Sequence, residues 1–215
     1  MNYPIGLISL PATVMFPHAV LPLNVCDLEK IKLVQNAYEL VQPIGLALMK
    51  PGWQHTKSPE PHEAICLCEV MTYSPLENGS INVFLKGTGR AYLISDCTED
   101  CLTGQVSVAR LEEYFPAQGT VEERILRDEI DQLIAEITPR FSTTSMIEMD
   151  RMNSESLSMR SNLLASILPI PSQMKQTLLA ENNIGRRCRL LLNWVGDYKK
   201  QGLRAMVHQI GFSLN

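Results

Sequence analysis

At 215 residues and 24.1 kDa, the chain has room for one large domain or two small ones. Its 45% apolar and 20% charged residues exclude a disordered or fibrous protein. A net charge of −4 argues against a general polyanion binder, because neutralising phosphates needs a basic surface.

Residues 1–26 carry no Asp, Glu, Lys or Arg, a length of uncharged chain that invites comparison with a membrane span. Pro4, Pro11, Pro17 and Pro22 interrupt it too often for a helix interior. No basic region and small-residue cleavage site frame a signal peptide. The segment therefore reads as buried strand and loop of a soluble, cytoplasmic protein. In that reducing compartment the six cysteines are expected as free thiols and small buried side chains rather than disulfides or metal ligands. Cys66 and Cys68 share a face if their segment is a strand, and Cys97 and Cys101 have a spacing some zinc sites use. No CxxC pair and no neighbouring histidine supports a metal.

The first half alternates in the manner of strands. Ile5–Leu10, Ile44–Met49, Ala64–Met71, Ile81–Leu85, Arg90–Ile94 and Gln105–Leu111 are short apolar or alternating runs. Asn78-Gly79 predicts a hairpin, and Gly87-Thr88-Gly89 a tight turn between two further strands. One helix is predicted after Asp27, with Leu28, Ile31, Val34, Tyr38 and Val41 at helical spacing before Pro43. Short strands with one helix predict a small, mostly antiparallel barrel over 1–119.

The second half, 120–215, changes character. Residues 1–119 hold ten of the thirteen prolines, with seven basic and twelve acidic residues; residues 120–215 hold three prolines, with twelve basic and eleven acidic. Thr120 and Glu123 form a predicted capping box ahead of the stripe Leu126, Ile130, Leu133, Ile134 and Ile137. Residues 140–153 read as a mobile connection. Leu157, Leu164, Ile167 and Leu168 predict a second helix stopped by Pro169, and Ser172 the cap of a short third. A long last helix from Ile184 carries Cys188, Leu191, Leu192 and Val195 on one face, weakened at Gly196 and Gly202 before Leu203, Met206, Val207 and Ile210. The fold class is α+β, a barrel followed by a helical bundle.

Chemistry is hard to find in this pattern. There is no phosphate-binding loop, dinucleotide fingerprint, zincin motif or nucleophile elbow. The four histidines are scattered without an i, i+4 pair, and the paired carboxylates read as solvated surface. Arg186, Arg187 and Arg189 form the one dense basic cluster. Trp53 sits in the longest loop of the barrel half, either as a lid on the local core or as a contact for a partner, whereas Trp194 reads as core. No catalytic, cofactor-binding or metal-binding constellation emerges, so a recognition module is expected rather than an enzyme.

The run Leu10-Pro11, Val14-Met15-Phe16-Pro17 and Leu21-Pro22-Leu23 resembles the opening of the Lon protease N-terminal domain, the LON substrate-binding domain. Ile44–Met49, the segment Leu76–Ile94 with Asn78-Gly79 and Gly87-Thr-Gly89-Arg90, Leu163–Pro169, and Lys175–Leu179 followed by Arg187 are similar too, so the likeness covers nearly the whole chain. The family's His-Ile-Phe-Glu-Pro-Arg-Tyr stretch is replaced here by Asn24–Lys30. The sequence stops at Asn215 without an ATPase or peptidase module, and a stand-alone domain without proteolytic activity is expected. The resemblance implies a PUA-like barrel followed by helices. It also implies a non-enzymatic module that binds unfolded or tagged polypeptides, with Phe16, Trp53, Arg186 and Arg187 as candidate contacts. An adaptor for a separate ATP-dependent protease and an RNA-binding PUA-like protein are the alternatives, the acidic barrel half weighing against RNA.

Overall fold

The computed structural model describes residues 2–56, 59–94, 105–115, 119–137 and 156–202, with side chains from 3 to 197 within those ranges. The Cys97/Cys101 pair, segment 140–153, His208 and the positions Leu203, Met206, Val207 and Ile210 lie outside the described residues. The chain divides into two compact units, Met1–Glu112 and Glu113–Asn215. Glu113–Phe115 belongs with the second, since Tyr114 bridges Asn183, donating its N–H to Asn182 O and accepting from Ile184 N–H.

The first unit contains strands β1 (Asn2–Leu10), β2 (Val20–Val25), β3 (Ile44–Leu48), β4 (Ala64–Pro75), β5 (Ile81–Leu93) and β6 (Gln105–Arg110), with helix α1 (Leu28–Glu39) between β2 and β3. The sheet order is β2-β5-β4-β3-β1-β6, and a further β5–β6 pairing closes five of these strands into a ring with β2 outside it. Only β1–β3 is parallel; the other pairings are antiparallel, as expected for the barrel. One buried cluster of this unit joins Ile5, Ala47, Ile65, Leu67, Ala91, Val106 and Val108. Gly45 makes room within it, since a Cβ there would meet Ile65 Cδ1 at 2.8 Å. On the opposite sheet face α1 buries Ile31, Val34 and Ala37, and a Cβ on Gly6 would meet Leu33 Cγ at 2.7 Å.

Two features of the sheet differ from the sequence expectation. Gly87-Thr88-Gly89 is not a turn: β5 runs unbroken through it for 13 residues. Gly87 pairs with Cys68 and Gly89 with Leu67, leaving Thr88 as the extra residue of a bulge, its hydroxyl donating to Leu67 O at 3.2 Å. A Cβ on Gly87 would stand 2.2 Å from the Phe16 carbonyl oxygen, so glycine is needed for this close approach. The second feature is β2, a strand that contains Pro22. It pairs with β5 alone, and proline is tolerated on such an edge because no second ladder needs its missing N–H.

Local signals account for the other elements. Asp27 caps α1 by accepting the N–H groups of Glu29 and Lys30, and the hydrogen bond from Lys30 is the leading cause of its lowered pKa. The hairpin at Asn78-Gly79 closes with Gly79 N–H donating to Leu76 O at 3.0 Å, and Gly79 takes φ +81°. In the second unit α2 (Val121–Ile137) buries all five residues of the predicted stripe. Glu123 N–H donates to Thr120 Oγ1, while the Glu123 carboxylate reaches back to Gly119 N–H rather than to Thr120. Helix α3 (Leu157–Ile167) is capped by Ser156. Helix α4 (Ser172–Ala180) takes Pro171 as its cap, so Ser172 is the first helical residue and makes no capping bond. Helix α5 (Ile184–Gly202) buries Cys188, Leu191 and Val195; Leu192 and Trp194 are only half-buried.

The end of α1 carries strain. Gln42 N–H donates to Ala37 O and Val41 N–H to Tyr38 O, the two bonds of a Schellman motif. Its left-handed position, usually glycine, is held by Val41 at φ +53° with 83% of its surface exposed. Val41→Gly is expected to raise stability by about 1 kcal/mol, read as a higher melting temperature. An unchanged or lower melting temperature contradicts that assignment.

Lys175 on α4 donates to Ser166 O at 2.8 Å near the end of α3, and burial pushes its pKa down to about 8. Between that value and the unperturbed 10.5 the unfolded chain binds the extra proton, so stability rises with pH. From pH 7 to 9 wild type should gain about 1 kcal/mol relative to Lys175→Met in chemical denaturation. Parallel pH profiles for the two proteins contradict this.

Candidate functional site

The open side of the barrel unit is built by β2, β5 and β4 ahead of the bulge. Along this half of β5, Ile81, Val83, Leu85 and Gly87 are buried while Asn82, Phe84, Lys86 and Thr88 are exposed. Phe84 interrupts the polar face at 45% exposure. In register it stands between Pro22 on β2 and Thr72 on β4. Val20, two residues before Pro22, is 40% exposed. Met71, the unpaired residue of a second irregularity between Val70 and Thr72, is 48% exposed. Val20, Pro22, Phe84 and Met71 therefore form an apolar row across three strands, flanked by the cross-strand charges Glu69 and Lys86 on one side and by Asn24 and Asn82 on the other. Asn24 donates to Asn82 Oδ1 at 2.8 Å and to Ser80 Oγ, holding the end of β2 onto β5. Strand β2 carries no charged residue, and Pro22 blunts it as a pairing edge.

The four residues singled out by sequence are divided between the two units, Phe16 and Trp53 in the first and Arg186 and Arg187 in the second. Phe16 is fully buried. It opens a Phe16–Ala19 turn in which Ala19 N–H donates to Phe16 O, Pro17 takes the second position and His18 has φ +73°, the pattern of a type II turn. Gly87 O accepts from His18 N–H and Gly87 N–H donates to Ala19 O, fixing this turn on the bulge. Trp53 is half-buried in a single helical turn, Trp53–His55, set by Gly52 at φ +85°. Arg186 is exposed on α5, one residue from Arg187, which has no exposed surface.

Arg187 is fully engaged inside the second unit. It pairs with Glu113 at 2.6 Å and donates to Ser161 Oγ at 3.0 Å, Glu181 O at 3.0 Å and Ser158 Oγ at 3.2 Å. Ser158 donates in turn to Glu113. Arg189 pairs with Glu122. The apparent arginine cluster thus separates into an exposed residue, a buried tie and a surface ion pair, because successive helical positions point in different directions.

Each unit also has a groove. One of about 470 Å³ lies between α1 and the strands, lined by Asp27, Glu29, Lys30 and Lys32 above Gly6 and Ile44. The other, of about 340 Å³, runs between α2 and α5 past Glu129, Glu136, Arg189 and Leu192. Both mix the two signs of charge. No group of three or more His, Cys, Asp or Glu side chains gathers to hold a metal, and no helix is long and apolar enough to cross a membrane, among the described residues.

A ring of mostly antiparallel strands with an edge strand outside it, followed by helices, is a domain of the α+β class. Residues 5–197 match the ATP-dependent protease La (LON) substrate-binding domain, and the chain belongs to that family. It is 28% identical over 189 residues to Lon protease 2 of Desulfotalea psychrophila, covering 86% of this chain but 24% of that protein. Its fold is similar to a Lon N-terminal domain protein from Xanthomonas campestris (TM-score 0.59, 20% identity, 89% of this chain and 98% of that one). It is similar also to the N-terminal domain of a Mycobacterium avium complex Lon protease (TM-score 0.66, 17% identity, 91% and 100%). The expected family and fold class are borne out, and the matched family is the LON substrate-binding domain.

Sequence reading passes over Phe84, although the signal was present: strand alternation from Ile81 to Leu85 assigns Phe84 to the solvent face. Arg187→Ala is expected to cost about 3–5 kcal/mol in denaturant unfolding, since it removes the buried cation that faces Glu113 and three hydrogen bonds to Ser158, Ser161 and Glu181 O. A loss within the range of a surface substitution, about 0.5 kcal/mol, contradicts a buried tie.

Proposed function

We propose that this chain is a non-enzymatic, Lon-like recognition module that binds unfolded or tagged polypeptide substrates on the β2–β5–β4 face. An extended segment would lay apolar side chains on Val20, Pro22, Phe84 and Met71 while its backbone runs along the free side of β2. The observation that carries this reading is Phe84, a large aromatic exposed at the centre of an otherwise polar strand face beside an uncharged edge. Apolar contact supplies most of the affinity, because Pro22 removes a donor from any added ladder. A second reading, an adaptor for a separate ATP-dependent protease, is supported by the matched relative, in which this region is a quarter of a longer protease. Either role places the protein in the cytoplasm. RNA is disfavoured because Arg187 is buried against Glu113, Arg189 is paired with Glu122, and the barrel half is acidic.

Fluorescence anisotropy with labelled β-casein, an unfolded protein, tests the site. Phe84→Asp should weaken binding by about tenfold or more, ~1.4 kcal/mol, as for a central interface aromatic. Ile125→Asp, 53% exposed on α2, should leave binding unchanged. Absence of micromolar binding by wild type, or equal effects of the two substitutions, overturns the reading. A salt-steep affinity for single-stranded RNA would favour the nucleic-acid alternative instead.

A further inference from the structure

We propose that Met15, Cys66 and Cys68 form a binding site for a monovalent soft cation, Cu(I). Cys66 and Cys68 alternate with Leu67 along β4 and so share one sheet face, the face opposite to the Ile65 and Leu67 side chains of the core cluster. The segment that precedes the Phe16–Ala19 turn brings Met15 onto that face, with Cys68 Sγ 3.4 Å from Met15 Sδ. All three residues are buried, Met15 at 3% exposure and both cysteines at 0%. Cys66 and Cys68 are successive positions on that face, so their thiols are neighbours along the strand. Two thiols and a thioether from two separated parts of the chain are thus buried on one sheet face, with one sulfur–sulfur contact already made.

Ligand chemistry selects the ion. Thiolate and thioether donors are soft and favour Cu(I). Zinc in a structural site takes four ligands, and no third His, Cys, Asp or Glu joins the pair among the described residues. Binding is balanced as Cu⁺ plus two thiols giving a copper bis-thiolate and two released protons, with no change of oxidation state. The bound unit carries one negative charge, which is costly to bury alone. Arg90, 2% exposed, stands directly across the ladder from Cys66 on the same face and supplies the opposite charge. Three sulfurs about 2.3 Å from a metal in a plane stand about 4 Å apart. The Met15–Cys68 contact must therefore widen by a few tenths of an ångström, which an unbranched methionine outside any strand can absorb.

The test is an anaerobic titration of the full chain with Cu(I) presented by bicinchoninate, followed by copper-edge x-ray absorption. Wild type is expected to take one equivalent from the chelator and to show three sulfur neighbours. Met15→Leu should weaken retention by at least the about tenfold that changes around metal sites cost. Cys66→Ala/Cys68→Ala should abolish it, while Cys26→Ser/Cys97→Ser/Cys101→Ser should retain it. Thermal melts without copper establish that each variant is folded. If the double alanine variant does not fold, the wild-type sulfur count and the Met15→Leu affinity decide. Copper left with the chelator, a sulfur count of two with no effect of Met15→Leu, or full binding by the folded double alanine variant overturns the proposal and leaves three sulfurs that only fill the core.

Discussion

The structure of the barrel unit depends on the contact between the Phe16 carbonyl and Gly87, and on the one-residue slip that follows it at Thr88. β5 must pair with β2 along its first half and with β6 along its last three residues while staying bonded to β4 throughout. With a strict alternation of two, one face of so long a strand would remain the buried face from end to end. The bulge resets that alternation. Before it, Phe84 and its neighbours face outward; after it, Arg90 and Ala91 are both buried, Ala91 in the core cluster and the strand closed onto β6. The same bulge anchors the turn at Phe16, which starts β2 and carries Met15 to Cys68.

What was legible in the sequence follows from the range of the forces involved. Helix α1 with its Asp27 cap, the α2 stripe and the Asn78-Gly79 hairpin are decided within a few residues, and periodicity and turn chemistry find them. β2 was hidden because Pro22 vetoes a central strand, and only the sheet order reveals that β2 lies at an edge. Gly87-Thr88-Gly89 has the composition of a turn; the reason for its glycine is a carbonyl 71 residues earlier in the chain, which no local pattern contains. The arginine cluster looked basic because adjacent letters were counted together, whereas a helix turns Arg187 inward and leaves Arg186 outside. The site was the least legible part, since Phe84 acquires its meaning from Pro22 and Thr72 on other strands.

The segments that identify the family also turn out to be architectural. Phe16-Pro17 forms the turn that docks on Gly87, and Leu21-Pro22-Leu23 is the edge strand. A recognition face could then arise beside them from whichever residues occupy the outward positions of β2, β4 and β5. The bulge and its turn constrain which positions of these strands face out.

The central claim is that polypeptide substrates lie across the outward face created by this slip. Site-specific photo-crosslinking addresses it most directly, with a benzophenone amino acid placed at Phe84, at Val20 or, as a control on the second unit, at Ile125. The account predicts covalent adducts with unfolded β-casein from positions 84 and 20 and background labelling from 125. Strong adducts from 125 with none from 84 or 20 would contradict it.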